Sequence, residues 1–217
     1  MVPVFNEAQR IRHTGPKLAD FVASYGTTSE LIVVDDGSSD GTCEEVVRLT
    51  GTHAAGGQVR LARRAHHGKG AAVQAGLNAA KGTLAGFCDV DLATPLDELE
   101  RLFAAAGSAP ALVIGSRAVG SATLVQRQSF RRETLGRAYN RLLRATLTPG
   151  VHDTQCGAKA AGVAVWREIL PYCREQGFAW DVEVVAVARR RGIAVEEMGV
   201  RWSHDAETRV HPLRDGA

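Results

Sequence analysis

Phe87-Cys88-Asp89-Val90-Asp91-Leu92-Ala93-Thr94-Pro95 closes an apolar run that starts at Thr83 and reads as a buried strand. Two carboxylates, Asp89 and Asp91, stand one residue apart at its carboxyl end. Ionised acids beside a core are costly unless something pairs with them. A divalent cation that also holds phosphate oxygens is a partner of the right chemistry. By itself an Asp-x-Asp pair also describes a solvated turn, so the rest of the chain has to decide.

Working outward, Glu30-Leu31-Ile32-Val33-Val34 runs into Asp35-Asp36-Gly37-Ser38-Ser39-Asp40-Gly41-Thr42. Four consecutive aliphatics before an acid-and-glycine turn read as a central parallel strand. Asp40 or Thr42 is placed to cap a helix around 43–50. Met1 to Glu7 reads as the end of a short first strand, truncated or at an edge, followed by a loop, and 8–25 as an amphipathic helix interrupted or started by Pro16. Residues 59–61 form a third strand, 71–81 a helix ended by Gly82, 95–106 a helix, and 111–114 a strand ending in Gly115-Ser116-Arg117. Strand and helix alternate throughout, which predicts one α/β domain with a mostly parallel central sheet flanked by helices. In such sheets ligands gather at the carboxyl ends of the strands. Asp35, Asp36, Asp89, Asp91 and Arg117 all stand at such ends.

Composition narrows the class. Lys plus Arg number 26 against 24 acids, so no bulk charge argues for nucleic acid. Cys43, Cys88, Cys156 and Cys173 form no close pair, which predicts neither a zinc site nor a disulfide framework and suits a reducing compartment. No run approaches the roughly 20 apolar residues of a membrane span, and no secretory leader is visible.

After residue 117 the pattern changes. Arg127, Arg131, Arg132, Arg137, Arg141 and Arg144 fall between Gln126 and Arg144, with Glu133 the one acid. Read as a helix, Leu135, Ala138, Tyr139, Leu142 and Leu143 make its apolar face, Arg131 sits at the edge of that face, and Arg137, Arg141 and Arg144 look outward. The outer three suit a solvated face or contact with anionic headgroups. Val151 to Lys159 reads as a polar loop, 163–170 as a short helix, Phe178 to Arg191 as a helix stopped by Gly192, and 193–198 and 200–202 as late strands. The single domain spans residues 1–202, with 203–217 a polar C-terminal tail.

Other groups carry two readings each. Gly68-Lys69-Gly70 matches neither a P-loop nor a dinucleotide fingerprint; it is a loop before a helix, or backbone amides plus Lys69 set near a phosphate or ribose. Arg117 and Arg131 are surface arginines or a bidentate phosphate clamp. Asp153 and Gln155 shape a turn or bind polar groups, and Asp181 and Glu183 are first-turn helix charges or ligands. His66, His67 and His152 show no metal-ligand spacing.

With these segments in place, the chain resembles the family 2 glycosyltransferases of GT-A (Rossmann-like) fold, and among them the polyprenyl- and dolichyl-phosphate sugar synthases. The resemblance rests on Val2-Pro3-Val4-Phe5-Asn6-Glu7, Val33 to Thr42, Gly68-Lys69-Gly70, Asp89 to Pro95 and Gly115-Ser116-Arg117. Asp153-Thr154-Gln155-Cys156-Gly157-Ala158-Lys159 and Phe178-Ala179-Trp180-Asp181-Val182-Glu183 are similar to the dolichyl-phosphate β-glucosyltransferase branch. The resemblance implies that Pro3, Phe5, Glu7, Val34 and Asp36 line the nucleotide base pocket, and that Lys69, Val90 and Arg209 also contact the nucleotide sugar. It implies that Asp89 and Asp91 flank the diphosphate with Mg2+ or Mn2+, and that Arg117 and Arg131 receive the lipid phosphate. Arg209 stands where the family often has a Ser-Lys pair, the first strand is short, and no C-terminal helix follows the tail.

The implied reaction is inverting transfer of a hexose, glucose from UDP-glucose, onto a polyprenyl or dolichyl monophosphate at the cytoplasmic face of a membrane, with peripheral attachment. Asp91, Arg117, Arg131, Asp153 and Asp181 are the candidate catalytic residues. The rivals are the same transfer from GDP-mannose, transfer to a hydroxyl acceptor, and a nucleotide-binding module without catalysis. Asp91→Asn and Arg131→Ala are both expected to remove turnover. Only Asp91→Asn is expected to weaken metal-dependent nucleotide binding, as read by titration calorimetry.

Overall fold

The computed structural model describes residues 1–52, 58–120, 122–126 and 147–203. Its strands are β1 (Val2–Val4), β2 (Glu30–Asp35), β3 (Gln58–Arg63), β4 (Leu84–Cys88), β5 (Ala111–Ser116), β6 (Thr123–Gln126), β7 (Ala158–Gly162), β8 (Ala194–Gly199) and β9 (Arg201–Ser203). Its helices are α1 (Ala8–Ala23), α2 (Thr42–Thr52), α3 (Lys69–Asn78), α4 (Leu96–Ser108), α5 (Val163–Ile169) and α6 (Trp180–Arg190), with a 3-10 turn at Leu170–Tyr172. The arginine-rich stretch from Arg127 to Arg144, Arg131 included, and Arg209 in the tail lie outside the described residues.

β1, β2 and β3 pair in parallel, with Val2 opposite Val33 and Val33 opposite Leu61. A second group runs β4-β7-β5-β8, in which β7 is antiparallel to both neighbours and β8 is parallel to β5. The two groups meet at Met1, whose nitrogen donates to Gly86 O at 2.6 Å while Cys88 N donates to Met1 O at 3.3 Å. That offset belongs to a parallel pair. The strand order is therefore β3-β2-β1-β4-β7-β5-β8, with β7 running against the rest. A separate two-stranded parallel ribbon, β6 with β9, stands beside it.

Two positions differ from expectation. β1 is not at an edge; it lies between β2 and β4, so even three residues are held on both sides. The segment expected to finish a polar loop at Lys159 is instead a strand that begins at Ala158. Alanine is a poor strand former, and β7 exists because β4 and β5 leave a slot of backbone donors and acceptors that must be filled.

Side chains alternate across the sheet as the pleat requires. Val2, Val4, Leu31, Val33, Val113, Ala158 and Ala160 pack with Ile11 and Leu18 of α1, Val46 of α2 and Leu99 and Leu102 of α4. Phe87, Leu112, Ile114 and Ala161 face the other way, against Val73 and Leu77 of α3, Trp166 of α5 and Val184 of α6. Both faces are thus covered, and the polar chemistry is driven to the strand ends. Pro16 is accommodated inside α1, and all four cysteines are buried and free. Among the described residues no helix is long and apolar enough to cross a membrane.

Ile114 is fully buried on the α3–α6 side. Ile114→Ala is expected to cost about 2–5 kcal/mol through lost transfer energy and the cavity left behind. A lower urea midpoint with an unchanged m-value would show it.

Candidate active site

The carboxyl ends of β1, β2, β4 and β5 lie along one edge of the sheet, and the antiparallel β7 brings its amino end to the same edge. Phe5, Asp36, Asp89 and Arg117 consequently stand in a row, with the 153–157 loop between the last two.

At the β1–β2 end the loops brace one another. Asn6 N donates to Ser38 Oγ (2.8 Å), Glu7 N to Thr42 Oγ1 (2.9 Å) and Ala8 N to Asp40 Oδ2 (3.1 Å). Asp40 thereby caps α1 from a neighbouring loop and also accepts Thr42 N. Asp35 is buried and accepts Ser38 N at 3.1 Å and the Cys43 thiol at 2.9 Å; it shapes the turn. Asp36 points the other way. Its carboxylate accepts Gly68 N (2.7 Å) and His67 N (3.2 Å), with Arg64 Nε at 3.2 Å and His66 Nδ1 at 2.9 Å. Asp36 thus anchors the loop that delivers Lys69. Gly68 makes this possible with φ +112°, where a β-carbon would also meet Gln176 O at 2.7 Å. The exposed Phe5 stacks on His66, ring centroids 4.1 Å apart at 20°. Pro3 and Glu7 sit at the same end, Glu7 paired with Arg10 at 2.8 Å. Val34 is buried in the sheet with Ile32 and Ala72.

Lys69, the first residue of α3, is the centre of the row. Its Nζ lies 2.9 Å from Asp89 Oδ1 and 3.2 Å from Asp181 Oδ2, over the Phe87 and Phe178 rings. Asp181 Oδ1 accepts Lys159 Nζ at 2.5 Å, and the same ammonium donates to Cys156 O at 2.9 Å. Lys159 is fully buried and Asp181 nearly so. Burial alone would raise the Asp181 pKa; Lys159 and Lys69 outweigh it and hold the carboxyl below the usual range. Burial alone would likewise lower the Lys69 pKa, and Asp181 and Asp89 reverse the direction, so the ammonium stays charged.

Asp91 is in a different situation. Val90 is buried beneath it, and Leu92 takes φ +51° so that the chain turns back; that left-handed residue costs roughly 1–2 kcal/mol. Asp91 Oδ1 accepts Ala93 N at 3.0 Å. Burial, and then the neighbouring Asp89, push its pKa upward. Gly157 closes the floor: Asp89 N donates to Gly157 O at 3.0 Å, and a β-carbon on Gly157 would fall 1.9 Å from Asp89 Oδ2. Among the described residues no group of three or more His, Cys, Asp or Glu is arranged to hold a metal ion. Two carboxylates with one raised pKa suit a cation that brings further oxygen ligands of its own.

At the β5 end Asp153 receives Arg117 through Nε at 2.6 Å, Nη2 at 2.9 Å and the backbone N at 3.0 Å. Burial alone would raise Asp153; the bidentate guanidinium holds it low. Glu197 fixes the loop from β8, accepting His152 N at 2.6 Å and Asp153 N at 2.9 Å. The Arg117 guanidinium also lies over the Trp202 ring, 5.5 Å from its centroid. Glu183, by contrast, accepts Arg174 N and Glu175 N and secures the loop before α6.

The structure therefore brings Lys69, Asp89, Asp91 and Asp181 into one cluster and Arg117 with Asp153 into another. His66, Lys159, Gly157, Glu197 and Trp202 are participants that sequence reasoning passed over. A lysine inside an alanine run at 158–161 was the one visible signal, since a lone ammonium among buried residues demands an acid.

Residues 1–170 match the family model for glycosyl transferase family 2, and the chain belongs to that family. It is 33% identical to a dolichyl-phosphate beta-glucosyltransferase of Trichomonas vaginalis, with 97% of this chain and 65% of that protein covered. It is 30% identical to the dolichyl-phosphate beta-glucosyltransferase of Saccharomyces cerevisiae, with 93% and 65% covered. The chain spans about two thirds of the length of both relatives, 65% in each case. Glucosyl-3-phosphoglycerate synthase from Mycobacterium tuberculosis, crystallised with Mn2+ and uridine-diphosphate-glucose, superposes with a TM-score of 0.67 at 21% identity, over 100% of this chain and 72% of that one. At that identity the likeness establishes a shared GT-A fold.

Two outcomes follow from the cluster. Gly157→Ala should displace the Asp89 carboxylate and weaken any Mn2+-dependent ligand binding at least tenfold while the far-UV spectrum stays unchanged. Because the folded pKa of Asp91 is raised, its ionised form opposes folding at neutral pH, and stability is lost as pH rises through the folded value. Asp91→Asn should therefore raise Tm at pH 7, and the gain should disappear below the ordinary carboxylate value of 3.8.

Proposed function

We propose that this chain transfers a hexose, glucose from UDP-glucose, to a polyprenyl or dolichyl monophosphate with inversion. The observation that carries the reading is the order of chemistry along the sheet edge. A stacking surface and acid (Phe5, His66, Asp36) comes first, then a cation-and-acid cluster (Lys69, Asp89, Asp91), then an arginine presented by a buried carboxylate (Arg117 on Asp153). Base, diphosphate and acceptor phosphate follow one another in that sequence in the reacting pair. Similarity to dolichyl-phosphate beta-glucosyltransferases favours glucose and a lipid phosphate, and the synthase crystallised with Mn2+ and UDP-glucose favours that donor.

In this reading Pro3, Phe5, Glu7 and Asp36 surround the base, with Arg209 a further candidate. Asp89 and Asp91 hold Mg2+ or Mn2+, which when bound stabilises charge building on the leaving diphosphate. Asp153 occupies Nε and Nη2 of Arg117 and leaves Nη1 for an acceptor phosphate oxygen; Arg131 is the second proposed phosphate ligand. An acceptor oxygen attacks the anomeric carbon as the bond from that carbon to the diphosphate oxygen breaks. The acceptor is anionic near neutral pH, so positioning rather than proton removal is the protein's task. Asp181 acts through Lys69. The transferase unit is residues 1–202, with 203–217 a polar tail, and the protein works peripherally at the cytoplasmic face of a membrane.

Thermal shift with nucleoside diphosphates and either Mn2+ or Mg2+ is the first test. UDP at a hundred times its Kd should stabilise by about 2.7 kcal/mol, with GDP well below it. No response to any nucleoside diphosphate with metal would overturn the reading. With UDP-glucose and a polyprenyl phosphate, turnover should rise with the acceptor's second ionisation, near pH 6, and then level off. Continued rise at higher pH would favour a hydroxyl acceptor and a general base.

A further inference from the structure

We infer that Lys69 makes metal binding conditional on the diphosphate, by occupying Asp89 as an internal counter-ion. The inference rests on the metal and diphosphate reading above. Lys69 Nζ is 2.9 Å from Asp89 Oδ1 and 3.3 Å from Asp89 Oδ2, close enough to satisfy both oxygens that a cation would use. The geometry also provides somewhere for the ammonium to go. Asp181 Oδ2 lies 3.2 Å away on the other side, so Lys69 can leave Asp89 without losing its ion partner in a low-dielectric setting. Lys159 makes that arrangement tolerable. It takes Asp181 Oδ1 and Cys156 O, so that Asp181 neither repels the acids nor captures Lys69 fully.

The charges of the cluster balance as follows. Lys69 and Lys159 cancel Asp89 and Asp181, while Asp91 has the Ala93 N–H and the fields of Arg10 and Lys69 to offset it, which burial and Asp89 outweigh. A bare dication would have to displace Lys69 from Asp89 and then sit beside its positive charge. A dication arriving with a nucleoside diphosphate brings phosphate oxygens that accept the released ammonium. Lys69 thus changes partner from carboxylate to phosphate, and the cation takes its place. Neither charge is left unpaired at any stage. Asp36, by holding Gly68 N, keeps Lys69 within reach of both partners.

The test measures Mn2+ alone, without nucleotide, from the loss of the free-ion electron paramagnetic resonance signal. Full-length Lys69→Met should bind bare Mn2+ at least tenfold more tightly than wild type. Lys69→Arg, which keeps the charge, should show no gain. Lys69→Met combined with Asp91→Asn should lose it. Adding UDP should tighten Mn2+ binding more in wild type than in Lys69→Met. Equal or weaker bare-metal affinity in Lys69→Met, or a gain that survives Asp91→Asn, overturns the inference. Lys69→Gln serves with the same arms if Lys69→Met does not fold, as judged by Tm. Failure of wild type to bind any nucleoside diphosphate with Mn2+ would instead strike the functional reading, and the nucleotide-free arms keep the two failures apart.

Discussion

A single buried carboxylate, Asp181, ties the architecture to its chemistry. It is ionised in the interior because Lys69 and Lys159 reach it from two directions. The four groups involved come from four elements: Asp89 follows β4, Lys69 opens α3, Lys159 lies in β7, and Asp181 lies in the first turn of α6. Removing one partner of a buried pair leaves an uncompensated charge and costs roughly 3–5 kcal/mol. The network need not add to net stability relative to apolar residues of the same size. What it does is allow one arrangement of these elements, because any other strands a charge in the core.

The same logic repeats along the sheet edge with different partners. Asp36 is met by backbone amides of the 67–68 loop, Asp153 by Arg117, and Asp40 by the start of α1. Each of these acids ties the loop or helix start of a neighbouring element, so the loops of the site are linked to one another. Asp91 stands apart from this pattern: burial and Asp89 push its pKa up rather than down. The Ala93 N–H, Arg10 and Lys69 offset that rise only in part.

Much of this was legible in the chain. Leu31 to Val34 and Thr83 to Cys88 are apolar runs ended by acids, and such runs have one good use, a strand covered on both faces. The helices α1 and α4 showed their apolar spacing directly. Asp89, Asp91 and Arg117 were identifiable because polar groups at strand ends have few structural excuses. β7 was not legible. Ala158 to Gly162 has weak strand propensity, and its pairing partners lie more than 40 residues away in β5 and 70 or more away in β4. Nor were the pairings of Asp153 with Arg117 or of Asp181 with two lysines, since spacing along a chain says nothing about which charges meet across a sheet.

The chain by itself determined the alternation of strands and helices, the identity of the acids and cations at their ends, and the family to which it belongs. The alternation and the end residues are consequences of local periodicity and of residue chemistry, both of which act over a few neighbours; the family comes from the resemblance of the motifs to known members. Only the tertiary structure decided which acid is neutralised and which is left. That outcome depends on the antiparallel insertion of β7, which carries Lys159 into the core and sets Gly157 against Asp89. It depends equally on the approach of α6, which brings Asp181 within 3.2 Å of Lys69. Coulombic pairing in a low-dielectric interior acts through space, at distances that no sequence separation encodes.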